Sequence, residues 1–320
     1  MLNLEGEILM KKSLIALAVA GALTAPMVAQ ADATLYGSLR LKVVAEEKKD
    51  LDVADNASRI GIKGAVDTNI DGVKAIYHGE WKVNGAGASE ADFGAGRLAY
   101  VGLTGGFGTA AIGQQWTPEY SFVTGVVDIL DGNSTALTVD LFRASNVISY
   151  VTPNMGGFQA ALAVVANHTD DSTTFAVNKD TGAVAVGAGP DGEDADSYHV
   201  AAKYAMAGFT GGVSYISNET ADDMNRTAVS VSYAADALYV AALYQDKEAL
   251  DDNQYELAGS YSFGNTKLLA NFAKEGDAKG YGIEVQQSLG KQARVFANYL
   301  EENEDAGDGD TFSAGMRVDF

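Results

Sequence analysis

The closing ten residues, 311–320 (TFSAGMRVDF), alternate without a break. Successive side chains of an extended chain point to opposite faces. Phe312, Ala314, Met316, Val318 and Phe320 therefore share one face, and Thr311, Ser313, Gly315, Arg317 and Asp319 share the other. The chain stops on an aromatic ring. A strand closing a membrane barrel places apolar groups in lipid and an aromatic at the interface, whereas a soluble sandwich rarely ends on a buried terminal ring. This stretch predicts an all-β, antiparallel transmembrane barrel.

The same alternation recurs upstream. Tyr255, Leu257, Gly259, Tyr261 and Phe263 oppose Glu256, Ala258, Ser260 and Ser262, and Tyr281, Ile283 and Val285 oppose Gly282, Glu284 and Gln286. Period-two segments occupy 33–44, 56–66, 72–83, 96–103, 108–115, 141–152, 157–167, 197–206, 209–217, 225–234, 237–245, 253–263, 266–274, 280–288, 292–301 and 310–320, about sixteen strands. Tight connectors at 104–107, 153–156, 207–208, 235–236, 264–265 and 289–291 carry the Gly or Asn that hairpins favour. Longer, acidic connectors lie at 45–55, 84–95, 116–140, 168–196, 218–224, 246–252 and 302–309. Short turns on one rim and long loops on the other are what an outer-membrane barrel requires.

The other end reads as an export signal. Lys11 and Lys12 after Met10, an apolar run over 14–23, and Ala29-Gln30-Ala31 form a positive region, a short hydrophobic region and an A-x-A cleavage site. The apolar run is shorter than the ~20 residues of a spanning helix. Residues 1–31 are expected to be an N-terminal extension plus a cleaved leader, and 32–320 the barrel. The chain has no Cys, so an exported protein of this sequence relies on a large hydrogen-bonded framework rather than disulfide staples. Its formal net charge of −21 opposes binding to nucleic acid or to an anionic membrane surface.

Chemistry is sparse. Of the three histidines, His78 falls in the third segment beside Glu80 and Lys82, His168 in the fourth long connector and His199 in the eighth segment, with no nucleophile–base set visible. The acidic runs 191–196 and 305–310 miss the ligand register of an EF-hand. The Gly-rich stretches lack the Lys-Ser/Thr of a phosphate loop. No enzyme activity, metal or cofactor is expected.

Leu35-Tyr36-Gly37, Ser58-Arg59-Ile60-Gly61-Ile62-Lys63-Gly64, Gly96-Arg97-Leu98-Ala99-Tyr100-Val101-Gly102-Leu103, Phe107-Gly108-Thr109 and Arg143-Ala144-Ser145-Asn146, in that order and with the terminal Phe320, resemble the Gram-negative general diffusion porins. The resemblance spans the mature chain. It implies a sixteen-stranded trimeric barrel whose third long loop, here 116–140, folds inward and narrows the channel. In that family acidic loop residues, matched by Asp128 and Asp131, face an arginine ladder, matched by Arg59, Arg97 and Arg143. Arg40, Lys42, Lys63 and Glu80 are further lumen charges. A basic wall position of some relatives is Ser38 here. The resemblance also makes Phe320 the signal read by the outer-membrane assembly machinery.

Parity offers a separate check. If Ile60, Ile62, Leu98 and Tyr100 face lipid, Arg59, Lys63 and Arg97 face the lumen, since a charge on the lipid face costs about 2–4 kcal/mol at the midplane. The expected function is passive diffusion of small hydrophilic solutes, with lipid and lipopolysaccharide around the wall. A substrate-specific channel and a plugged barrel serving as adhesin or anchor are the alternatives.

Overall fold

The structure is a computed structural model that describes residues 31–87, 93–135, 137, 141–166, 176–178, 183–185, 195–219, 224–248, 253–303, 305–306 and 309–320. Residues 1–30, nearly all of the expected extension and leader, together with His168 and most of the fourth long connector, lie outside the described residues.

In chain order the strands are β1 (Ala31–Glu46), β2 (Asp52–Asp55), β3 (Arg59–Asp67), β4 (Val73–Val83), β5 (Phe93–Gly105), β6 (Gly108–Trp116), β7 (Arg143–Val151), β8 (Phe158–Ala166), β9 (Ala176–Asn178), β10 (Ala183–Ala185), β11 (Ala195–Met206), β12 (Phe209–Asn218), β13 (Arg226–Ala235), β14 (Leu238–Lys247), β15 (Gln254–Phe263), β16 (Thr266–Glu275), β17 (Ala278–Ser288), β18 (Ala293–Glu302) and β19 (Gly309–Asp319). Strands β2 and β3 form one wall strand, interrupted at 56–58 where Ala57 takes φ 63°. The pair β9 and β10 lies within the fourth long connector. The remaining ladder is the predicted sixteen-stranded antiparallel barrel.

Closure joins the two ends of the chain. β1 pairs antiparallel with β19 from Ser38↔Asp319 to Glu46↔Thr311, and Gly37 and Phe320 exchange both backbone hydrogen bonds, at 2.8 and 3.0 Å. No wall strand keeps a free edge, which is what lets a sheet sit in hydrocarbon. The Phe320 ring lies over Gly37, where a Cβ would come within 2.3 Å of it. The terminal aromatic thus needs a glycine on the first strand as its seat.

Alternation resolves as expected on most strands. Phe312, Met316 and Val318 are exposed on the outer face while Ser313 is fully buried. Tyr255, Leu257, Tyr261 and Phe263 face outward and Glu256, Ala258 and Ser260 inward. On β5 the parity expectation fails. Tyr100 pairs with inward His78 and bonds to its ring, Leu98 is buried opposite Glu80, and the outward residues are Val101 and Leu103. A β-bulge corrects the consequence: Glu80 pairs with Leu98 but Trp81 pairs with Gly96, so Arg97 is the extra residue and is turned into the lumen after all. Simple alternation cannot see a bulge, because one inserted residue reverses the faces of everything beyond it.

The third long loop lies against the inner wall. It opens with the short helix α1 (Pro118–Phe122), capped by the Thr117 hydroxyl, which accepts from the Tyr120 N–H at 3.1 Å, with Pro118 in the first turn. A 3₁₀ turn at Thr124–Val126 follows. Phe122, Val123 and Val127 pack on Ala161, Ala201, Ala228, Ala241 and Ala258, small inward residues of β8, β11, β13, β14 and β15. Burying each of the three larger side chains stabilises the loop by about 1.5–3 kcal/mol. At Gly212 on β12 a Cβ would meet the Phe122 carbonyl at 2.4 Å. The small residues on these inward faces make the room that the loop occupies.

Candidate functional site

A cavity of about 720 Å³ lies between the third loop and the wall. Arg40, Arg59, Arg97, Arg143, Arg294 and Arg317 line it, and the chain has one further arginine, Arg226. Glu80, Asp128, Asp131 and Asp319 line it too.

Backbone register builds the basic wall. Arg294 of β18 stands directly opposite Arg317 of β19, and Arg317 directly opposite Arg40 of β1. Ser38, two residues back on the same face, pairs with Arg59 of β3. Like charges set directly opposite destabilise a sheet by about 0.2–1 kcal/mol per pair. A row of three is therefore held against a local cost, and acidic partners offset it.

Asp131, at the tip of the loop, bonds to both flanking cations. Arg294 grips its carboxylate with Nε and Nη2, the latter at 2.8 Å, and Arg317 Nη1 donates at 3.1 Å. Gln286 adds a bond at 3.2 Å. Burial pushes the Asp131 carboxyl up, but hydrogen bonding and charge from Arg294, followed by Arg317, outweigh it and hold the group below the usual carboxylate range. Asp128, on the same loop, accepts from the Tyr120 hydroxyl at 2.8 Å. Burial raises its pKa despite that bond and despite Arg40 and Arg59 nearby.

The predicted arginines find a different carboxylate. Arg97 Nε donates to Glu80 Oε1 at 2.7 Å, and Arg59 Nε lies 3.9 Å from Glu80 Oε2. Arg143 lies over the Trp116 ring, 4.6 Å from its centroid, a cation–π contact, and Trp116 stacks in turn on Tyr120 at 4.7 Å. Arg40 Nε donates to Ser38 Oγ at 2.8 Å, so the serine at the wall position orients the neighbouring arginine. Lys42 bonds to Asn133 Oδ1 of the loop, and Lys63 lies 5.2 Å from the Tyr36 ring centroid.

The loop is pinned along its length. At its root Glu119 meets Ser214 at 3.2 Å, Gln245 at 3.5 Å and Arg226 at 3.6 Å. Tyr239 donates to the Val126 carbonyl at 2.6 Å. At the tip the Glu284 carboxylate accepts the Asp131 and Gly132 N–H groups at 3.0 and 2.7 Å, and Asn298 exchanges bonds with Asn133. These anchors hold the loop inside the ring of strands.

Of the charged residues singled out for this region, Arg40, Arg59, Glu80, Arg97, Asp128, Asp131 and Arg143 line the cavity and Lys42 and Lys63 do not, and the pairing is redistributed. Asp131 takes Arg294 and Arg317, which sequence reading did not single out, while Arg59 and Arg97 take Glu80. Arg317 was visible on the polar face of the last strand. Its place beside Arg40 depends on β19 closing on β1, a contact between chain ends. Among the described residues no group of three or more His, Cys, Asp or Glu has the geometry to hold a metal ion.

The sequence profile of the Gram-negative porin family matches residues 16–307. The major outer membrane protein P.IB of Neisseria meningitidis serogroup A is 29% identical over 92% of this chain and 94% of its own, and that of Neisseria lactamica is 27% identical over 93% and 96%. Among solved structures, Salmonella typhi OmpF in complex with daunomycin superposes with a TM-score of 0.74 at 18% identity, covering 90% of this chain and 97% of that one. The anion-selective porin from Comamonas acidovorans superposes with a TM-score of 0.71 at 20% identity, covering 91% and 100%. The sixteen-stranded closed wall and the profile match agree: the chain belongs to the Gram-negative porin family, the diffusion channels of the outer membrane.

Proposed function

We propose that small hydrophilic solutes and ions cross the outer membrane through this barrel at a constriction formed by the third loop and the arginine wall. The observation that carries this reading is the Asp131 contact: a loop anchored to one side of the barrel reaches the basic row on β18, β19 and β1. Selectivity then follows from the width left beside the loop and from the field between its acids and the arginines. A homotrimer fits the reading, since an OmpT structure from Vibrio cholerae described as a trimer form superposes with a TM-score of 0.66 at 16% identity. Phe320, seated on Gly37, is the residue through which the assembly machinery would read the closed end.

Purified protein in a planar bilayer tests this directly. Stepwise single-channel conductance, in triplets for a trimer, is the expected result. A barrel with no conductance would be a plugged anchor, and saturable block by one solute would make it a substrate-specific channel.

A further inference from the structure

One inward cluster starts at the cavity, whose lining includes Tyr36 and Glu80, and runs beyond it to His78 and Lys63. Lys63 of β3 stands directly opposite His78 of β4, and Gly61 directly opposite Glu80, so His78 lies one pleat repeat, about 7 Å, from Glu80 toward the short-turn rim. Tyr36 of β1 reaches across to both. Its hydroxyl lies 2.6 Å from His78 Nε2 and 2.7 Å from Glu80 Oε2, and Tyr100 Oη of β5 lies 3.2 Å from His78 Nδ1.

Proton counting orders this chain. An ionised Glu80 only accepts, so the single Tyr36 proton goes to Glu80. The Tyr36 oxygen must then accept from His78, which places the imidazole proton on Nε2 and leaves Nδ1 to accept from Tyr100. Every group is satisfied with His78 neutral. A proton added to Nδ1 would meet the Tyr100 hydroxyl, which must rotate to accept it. It would also place a second cation opposite Lys63, beside the carboxylate that Arg97 and Arg59 share. The charged and titratable groups facing this cluster are Tyr36, Lys63, Glu80, Tyr100, Arg59 and Arg97.

We infer that His78 is a specificity-determining residue of this channel: neutral, it orients Tyr36 onto Glu80, and protonated, it adds a positive charge below the arginine wall and raises the preference for anions. The inference rests on the pore reading above. For an ion passing about 9 Å away, one unit charge shifts the anion-to-cation permeability ratio about twofold in 0.1 M salt.

Reversal potentials in dilute KCl gradients at pH 7.5 and pH 5 test it on wild type, His78→Gln and His168→Gln, with heat-modifiable mobility as the folding check. Beyond the change from acidic groups such as Asp128, which every variant shares, wild type and His168→Gln should become up to about twofold more anion-preferring at pH 5 than His78→Gln, whose amide still donates to Tyr36. His78→Asn provides the same test if the glutamine variant does not assemble. A step in the His78 variants as large as in wild type, or no step in wild type, overturns the inference and leaves the pore reading standing. A folded barrel that passes no current overturns both.

Discussion

Asp131→Asn should make the channel more anion-preferring without closing it. In the native site the carboxylate is bonded by Arg294 and Arg317 and is itself nearly buried, so in the proposed reading its charge acts at the constriction. The amide keeps the shape but removes one negative charge, while Arg40, Arg294 and Arg317 stay in register across three strands. For an ion passing about 7 Å away, the lost interaction is about 0.6 kcal/mol in water, cut by screening to about 0.3 kcal/mol in 0.1 M salt. Cations lose that attraction and anions lose the matching repulsion, so the permeability ratio moves about threefold, falling to about 1.2-fold in 1 M salt. Asp128→Asn should do less, because burial raises its pKa and favours the uncharged form. Acidification has a defined sign here. The Asp131 carboxyl is held below its ordinary value, so its ion pairs add stability above about pH 3.9 that is lost as pH falls through the depressed value. Reversal potentials for both variants in dilute and concentrated KCl supply the test. Equal shifts from Asp128 and Asp131, or a shift that does not shrink with salt, would refute the reasoning.

Glu284→Ala removes the acceptor of two loop-tip N–H groups, at about 1–3 kcal/mol for each left unpaired; current noise and protease cleavage within 116–140 should rise, and an unchanged record would show that the tip is held elsewhere. Gly37→Val would drive a side chain into the Phe320 ring and should lower the amount of heat-modifiable barrel in the membrane, as should deletion of Phe320; normal levels of either variant would count against the closure contact as an assembly determinant. Neutralising Asp305 and Asp308 together should shift selectivity less than Asp131→Asn alone, since the sequence assigns both to the last long connector, 302–309, of which Asp308 lies outside the described residues; an equal or larger shift would move the selectivity element to the mouth.

Alternation and connector length, read along the chain, were enough for the barrel, its sixteen strands and the loop between the fifth and sixth of them. A strand's period is local, and a lipid-facing wall imposes it on nearly every segment. The charged residues of the lumen were legible for a related reason: in hydrocarbon a charge has nowhere else to point. Pairing was not legible. Arg97 reaches the lumen through a bulge, not through the facing of Leu98 and Tyr100. Asp131 chose Arg294 and Arg317 because closure brings residues of the last two strands beside Arg40 of the first, and because Glu284 and Asn298 fix where the loop tip rests. Those contacts join residues more than a hundred and fifty positions apart, and register between distant strands is set by the whole sheet at once. Orientation is written in the local pattern, whereas partnership is decided only when the barrel closes.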